Sequence, residues 1–195
     1  MIVIAGPSGS GKSRLAHRLG LPLLALDDFY REEHDPRLPY VRNGDEPPLV
    51  DWDDVGSWNK DRALATLERL CREGSADVPV YDLRTSRVTG FRTLHLGQHR
   101  HVVAEGIFAA EIVADVRERG LLAAAVCVRR HRLLTYGLRL ARDLRERRKA
   151  PHVLVRRGWR LLRTEPVIIA SMVANGCEPM SPRRAEGRLR SLVDV

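Results

Sequence analysis

Eight residues near the start, Gly6-Pro7-Ser8-Gly9-Ser10-Gly11-Lys12-Ser13, have the spacing G-x-x-x-x-G-K-[ST]. Glycines at these places let the backbone curl until its N–H groups converge on phosphate oxygens, and a helix opening near Lys12 adds positive potential. The Lys12 ammonium is expected to reach the β- and γ-phosphates of a nucleoside triphosphate, and the Ser13 hydroxyl to ligate Mg²⁺. The flanks fit, since apolar "MIVIA" precedes the loop as a buried strand and "KSRLAHRLG" follows with helical spacing to Gly20. The expected donor-binding set is Gly6, Pro7, Ser8, Gly9, Ser10, Gly11, Lys12, Ser13 and Arg14.

Two more chemically suggestive stretches follow apolar runs. In "ALDDFY", after "LPLL", Asp27 and Asp28 stand side by side, and if a strand carries them they face opposite ways, so only one can meet the γ-phosphate. In "HVVAEG", Glu105 ends a third apolar run, where a buried carboxylate calls for a nearby cation. No N-K-x-D stretch reads guanine, and no four apolar residues end in Asp. A transport or helicase ATPase needs further motifs and usually more chain. A kinase for a small molecule remains.

These stretches need a scaffold. Strands are expected at "MIVIA", "LPLLALD", "HVVAEG" and "LLAAAVCV", with short strands "VPVYDL" and "RVTGFRTLHL" as a hairpin turning at Thr89-Gly90. A long loop is expected over 31–57, then a helix from near Ser57 to Gly74 with Ala63, Leu64, Leu67 and Leu70 on one face. Further helices are expected after "HVVAEG" through about Arg119, over 131–149, 152–164 and 166–174, and over 182–193 behind Ser181-Pro182. Strands alternating with helices imply an α/β fold of Rossmann-like type, a doubly wound parallel sheet flanked by helices, with ligands beyond the C-terminal strand ends. The 195 residues suit a single domain.

A net charge of +8 and 30% charged residues raise nucleic-acid binding as a first thought, but the excess is segmental. Residues 129–163 hold 13 Arg or Lys against two acids, whereas 27–54 hold ten acids against three arginines. One side of a site could grip an anion and the other hydroxyl groups, although a solvated Arg-rich helix would look the same. Cys71, Cys127 and Cys177 lack metal-type spacing and read as reduced thiols. The start has no basic n-region, and the longest later apolar run is too short for a bilayer, so a soluble cytoplasmic protein is expected, with no membrane partner.

The ordered set "GPSGSGKS", "LDDFY", "VDWDD", "PVYDLRTSR", "VVAEGI" and "RLARDLRER" resembles the uridine kinase and phosphoribulokinase branch of P-loop kinases over roughly residues 1–150. The resemblance implies a P-loop NTPase fold with an Arg-rich helical lid at about 129–163, the cofactors ATP and Mg²⁺, and phosphoryl transfer to a hydroxyl of a nucleoside, uridine- or cytidine-like, or of a similar small molecule. It places the hydroxyl-orienting base at Asp27, a metal-holding acid at Glu105 beside Ser13, and ribose-binding at Asp53. It puts Tyr30, Trp52, Tyr81 and Arg87 at the acceptor and Arg139 and Arg142 in the lid, and leaves Asp28 as a loop or capping residue. It also makes a homo-oligomer an open expectation.

Several readings stay open. Asp27 can be a cap after a strand, Tyr81 and Trp52 can be core, and Arg139 and Arg142 can pair with Asp143 and Glu146 at i,i+4. Uridine kinases carry a base-reading His after their "YDF", whereas "YDLRTSR" has Ser86 or a gap there, which opens the acceptor's identity. A non-nucleoside acceptor such as a sugar phosphate or a pantothenate-like metabolite is one alternative, and a nucleotide-binding regulator using the basic helix on nucleic acid is another. Adenine is assigned only loosely, to "ANGCEPMSPRR".

Overall fold

A computed structural model describes residues 1–42, 48–145 and 151–193, the side chains of 139, 142–145, 151–158, 160 and 161 excepted. In chain order the strands are β1 (Ile2–Ala5), β2 (Leu23–Ala25), β3 (Tyr40–Val41), β4 (Leu49–Val50), β5 (Ser75–Asp82), β6 (Arg87–His95), β7 (Val103–Glu105), β8 (Ala124–Val128) and β9 (Glu178–Met180). The helices are α1 (Lys12–Arg18), α2 (Lys60–Glu73), α3 (Val113–Glu118), α4 (Arg132–Arg145), α5 (Pro151–Ala174) and α6 (Pro182–Val193).

Five strands form one sheet in the order β2-β7-β1-β8-β9, every pair parallel. Because successive side chains of a strand face opposite ways, β1 feeds two cores. Ile2 and Ile4 pack with Leu15 and Ala16 of α1 and Ala185 and Leu189 of α6. Val3 and Ala5 face the other side, with Leu64, Leu67 and Leu70 of α2, Val113 and Val116 of α3, and Met172 of α5. Burial on both faces explains why these strands read as unbroken apolar runs instead of alternating ones.

Four local expectations are corrected. The strand expected at "LPLLALD" ends at Ala25, and Leu26–Phe29 form one 3-10 turn, because Trp58 Nε1–H donates to Leu26 O at 2.7 Å and draws the chain out of the sheet. The β5–β6 hairpin turns at residues 83–86, not at Thr89-Gly90, since Asp82 pairs with Arg87 and Val80 with Gly90. The helices expected at 152–164 and 166–174 are one, α5, with Pro166 inside. A proline costs a helix one hydrogen bond and adds a clash, but surrounding packing can carry the chain past it. The fifth strand, β9, was not anticipated; its three residues "EPM" carry neither periodicity nor a β-branched side chain.

The expected long loop contains the small β3–β4 ladder and a 3-10 turn at Val55–Ser57. Among the described residues no helix is long and apolar enough to cross a membrane.

Candidate active site

The P-loop joins the C-terminal end of β1 to α1. A side chain on Gly6 would begin 2.6 Å from Val128 O and 2.8 Å from Ser10 Oγ, so only glycine allows the loop to pass this close to β8. Ser10 N–H donates to Pro7 O at 3.1 Å, closing the turn, and Gly11 stands at the helix N-cap. Lys12 is buried at the first position of α1, while Ser13 and Arg14 are exposed.

Parallel pairing brings two carboxylates together at the strand ends. Ala25 of β2 lies opposite Glu105 of β7, so Asp27, two residues on, lies beside Gly106 and Ile107. Ile107 N–H donates to Asp27 Oδ1 at 3.4 Å, and a side chain on Gly106 would begin 3.0 Å from the same oxygen. Glu105 is 7% exposed, and its Oε2 is buried with no hydrogen-bond partner. Burial pushes the Glu105 carboxyl up from its ordinary range; the Lys12 charge opposes this, the Asp27 carboxylate adds to it, and the Ser13 hydroxyl opposes it. Lys12, Ser13, Asp27 and Glu105 thus converge.

Asp28 looks elsewhere. It lies 3.8 Å from Arg92 of β6 and accepts the Tyr81 backbone N–H, which oppose the upward push of burial. The separation of the two aspartates comes from the 3-10 turn, not from strand alternation. The turn itself is held by Trp58 and by Asn59 N–H to Phe29 O at 2.9 Å.

Aromatic rings gather next to the turn. Tyr30 lies 5.8 Å from Trp52, 5.8 Å from Tyr81 and 5.9 Å from Phe108, centroid to centroid. Its hydroxyl donates to Trp52 O at 3.3 Å, and the buried Tyr81 donates to Arg31 O at 2.9 Å. Asp53 is exposed, its N–H donating to Asp51 Oδ1 at 3.1 Å. Arg87 is engaged by the preceding loop, with Nε donating to Glu33 Oε1 at 2.9 Å and the guanidinium 3.3 Å from His34 Nε2. A cavity of about 750 Å³ opens beside Tyr30, with Arg31, Arg37, Arg62 and Arg87 among its walls together with Glu32, Glu33 and Asp35. Arg139 and Arg142 belong to α4, and their side chains lie outside the described residues.

The metal expectation can be tested on these groups. Among the described residues no three His, Cys, Asp or Glu gather to hold a metal. The orphaned Glu105 Oε2, with Asp27 and the Ser13 hydroxyl nearby, fits an ion that protein oxygens bind sparsely. Mg²⁺ is such an ion, since it keeps waters and takes one or two carboxylates plus substrate phosphates.

Sequence reasoning missed Phe108, Trp58 and Arg130. Phe108 stood three residues beyond Glu105 at a strand end, where ligand contacts concentrate, so that rule could have found it. Trp58 and Arg130 act through backbone carbonyls, of Leu26 and Ser10, which no sequence pattern announces.

No family model matches the chain. It is 29% identical over 152 residues to a uridine kinase from Bacillus pumilus, covering 75% of this chain and 69% of the relative. A uridine kinase from Schizosaccharomyces pombe is 30% identical over 158 residues, 75% of this chain and 32% of the relative. Over three quarters of its length the chain is similar to uridine kinases. A stretch of 114 residues, 56% of this chain, is also 30% identical to Inorganic pyrophosphatase TTM2 of Arabidopsis thaliana. That match spans 15% of the pyrophosphatase, and 16% in the related TTM1, so the chain corresponds to a small part of each. Two solved structures share the fold. One, from Silicibacter sp. TM1040 and provisionally described as a fructose transport system kinase, has a TM-score of 0.57 and 16% identity, covering 87% of this chain and 84% of its own. The other, YGR205w protein, has a TM-score of 0.51 and 14% identity, covering 94% and 86%.

Proposed function

We propose that the chain is an ATP- and Mg²⁺-dependent kinase that moves the terminal phosphoryl group of ATP to a hydroxyl of a small, ring-bearing acceptor such as a uridine- or cytidine-like nucleoside. The observation that carries this reading is the convergence of Asp27 and Glu105 on Lys12 and Ser13, beside the rings of Tyr30, Trp52, Tyr81 and Phe108.

In this reading the P-loop amides and Lys12 hold the β- and γ-phosphates. Ser13, Asp27 and Glu105 would hold Mg²⁺, which neutralises charge developing on the transferring group. Asp27 orients the acceptor hydroxyl and takes its proton as the oxygen–phosphorus bond forms and the bridge to the β-phosphate breaks, releasing ADP. The aromatic rings exclude water and offer flat faces to a planar acceptor, a contact of about 0.5–1.5 kcal/mol per ring pair. Arg139 and Arg142 are assigned by resemblance to the lid, where guanidiniums would stabilise the transferring group. A cytoplasmic setting, without membrane or nucleic-acid partners, belongs to the same reading, and self-association is a property to check by light scattering.

A second acceptor class has an observation behind it. Among the described residues, the cavity beside Tyr30 carries four arginines against Glu32, Glu33 and Asp35, a small positive excess that could take an anionic acceptor such as a sugar phosphate or a pantothenate-like carboxylate. An acceptor panel with ATP, read as ADP release, decides between them. ADP with nucleosides supports the leading reading, and ADP only with anionic alcohols replaces it. No ADP with any alcohol, together with salt-sensitive RNA or DNA binding, would move the chain to the regulator class.

A further inference from the structure

A second cavity, of about 700 Å³, lies between the loop after β8, the middle of α5 and the loop from β9 into α6. Its charge is lopsided. Among the described residues, Arg129, Arg130, Arg132 and Arg184 face it with His131, against the single carboxylate of Glu165. Among the described residues no Phe, Tyr, Trp, Asn or Gln contributes to its wall.

The cavity adjoins the P-loop directly. Arg130 Nε donates to Ser10 O at 2.9 Å, and its guanidinium lies 3.3 Å from where a side chain on Gly11 would begin. Arg129 N–H donates to Met180 O at 3.0 Å, so the edge strand fixes this basic loop in place. A ligand seated by its phosphates on the P-loop therefore extends past Arg130 into a space where positive charge outweighs negative. Adenosine is neutral and brings no charge there. Cations gathered around one cavity repel each other and concentrate anions from solution, most of all multivalent ones.

We propose that this cavity binds phosphate groups beyond the three that the P-loop takes. The proposal rests on reading the P-loop as the triphosphate site. Two sources share the chemistry, namely linear inorganic polyphosphate and a nucleoside triphosphate with a further phosphate on its ribose. In both, guanidiniums of Arg132 and Arg184 pair with the additional phosphates, in charge-assisted bonds that planar guanidinium forms well.

The test is displacement of a fluorescent ATP analogue from the full chain. Competitors are tripolyphosphate, linear polyphosphate of roughly ten phosphates, ATP, and ATP carrying a ribose 3′-phosphate, the length chosen to overrun a three-phosphate site. The expected result is a gain of about tenfold or more for at least one extended ligand over its three-phosphate parent, with a steeper salt dependence. Which extended ligand gains identifies the source. In R132A and R184A, checked as folded by circular dichroism, the extended ligand loses more affinity than its parent. Equal affinities within about twofold, or a gain that both variants keep, overturn the proposal, the latter marking a diffuse basic surface. K12A separates the two levels. If parent binding depends on Lys12 and length has no effect, only this proposal fails, whereas parent binding indifferent to Lys12 overturns the triphosphate site and this proposal together.

Discussion

Around Gly6 and Lys12 the chain is boxed in by β8 and the sheet, whereas around Tyr30 and Arg87 it is held by side chains reaching between loops. The P-loop half, proposed to bind the phosphate donor, is backbone packed too closely at Gly6 for a side chain, with a buried lysine and a buried glutamate. The half proposed to take the acceptor is a 3-10 turn, a cluster of rings and the two-stranded β5–β6 hairpin, whose tip is tied to the preceding loop through Glu33 N–H to Ser86 O at 3.0 Å. Backbone constraints tolerate few substitutions, and side-chain ties tolerate many. In the proposed reading the P-loop half can thus be kept while the acceptor changes, which suits a chain that matches uridine kinases at 24–30% identity.

The contrast can be broken at several points. The largest effect is expected on the reaction itself, with Asp27→Asn losing about 10²–10⁴-fold in kcat while keeping its fold and its ATP affinity. Full activity in that variant would remove Asp27 from the chemistry. Next comes Gly6→Ala, whose methyl group meets Val128 O at 2.6 Å. It should cost about 1–3 kcal/mol in denaturant melts and abolish ATP-analogue binding, because the loop must move to make room. Trp58→Phe removes the buried bond to Leu26 O and leaves that carbonyl only its partner within the 3-10 turn. A stability loss of about 0.5–1.5 kcal/mol is expected, with kcat falling as the turn under Asp27 loosens.

Glu105→Gln has the opposite sign for stability. Burial raises the Glu105 carboxyl, so its contribution is intact below the ordinary carboxyl range and is lost as pH rises through the raised value. The variant should therefore be more stable than the parent at neutral pH, by about 1 kcal/mol, and the difference should shrink in acid, while phosphoryl transfer falls. A destabilised variant at neutral pH would mean that Glu105 is already well partnered. The smallest effect on stability is expected for Arg87→Ala, whose ion pair with Glu33 is half-exposed and worth under about 1 kcal/mol. Its signature is a raised acceptor KM with kcat kept, and a large loss of melting temperature would show that the acceptor half is as constrained as the donor half.

The same contrast decides what could be read from the sequence. The P-loop was legible because its geometry requires glycine at fixed places, and the core strands were legible because both faces are buried. Asp27 and Glu105 follow from the rule that chemistry sits beyond strand ends, and the β2–β7 register puts them together. The turn beneath Asp27 was not legible, since it depends on an indole 32 residues away. Nor was β9, which is a strand only because β8 offers it an edge. Arg87 was grouped with the acceptor residues from its place in "PVYDLRTSR", but its partner Glu33 lies 54 positions earlier, beyond any local pattern.

One feature of the sheet bears on how the chain is made. Strand β1 pairs only with β7 and β8, so about a hundred residues must be synthesised before its first neighbour exists. At roughly 5–20 residues per second, the apolar "IVIA" waits on the order of 5–20 s on the ribosome with both edges unpaired. During that interval α1, amphipathic and already complete, is the nearest cover for it. Holdase chaperones should therefore engage nascent chains shorter than about Glu105 and release longer ones, a handover set by the strand order alone.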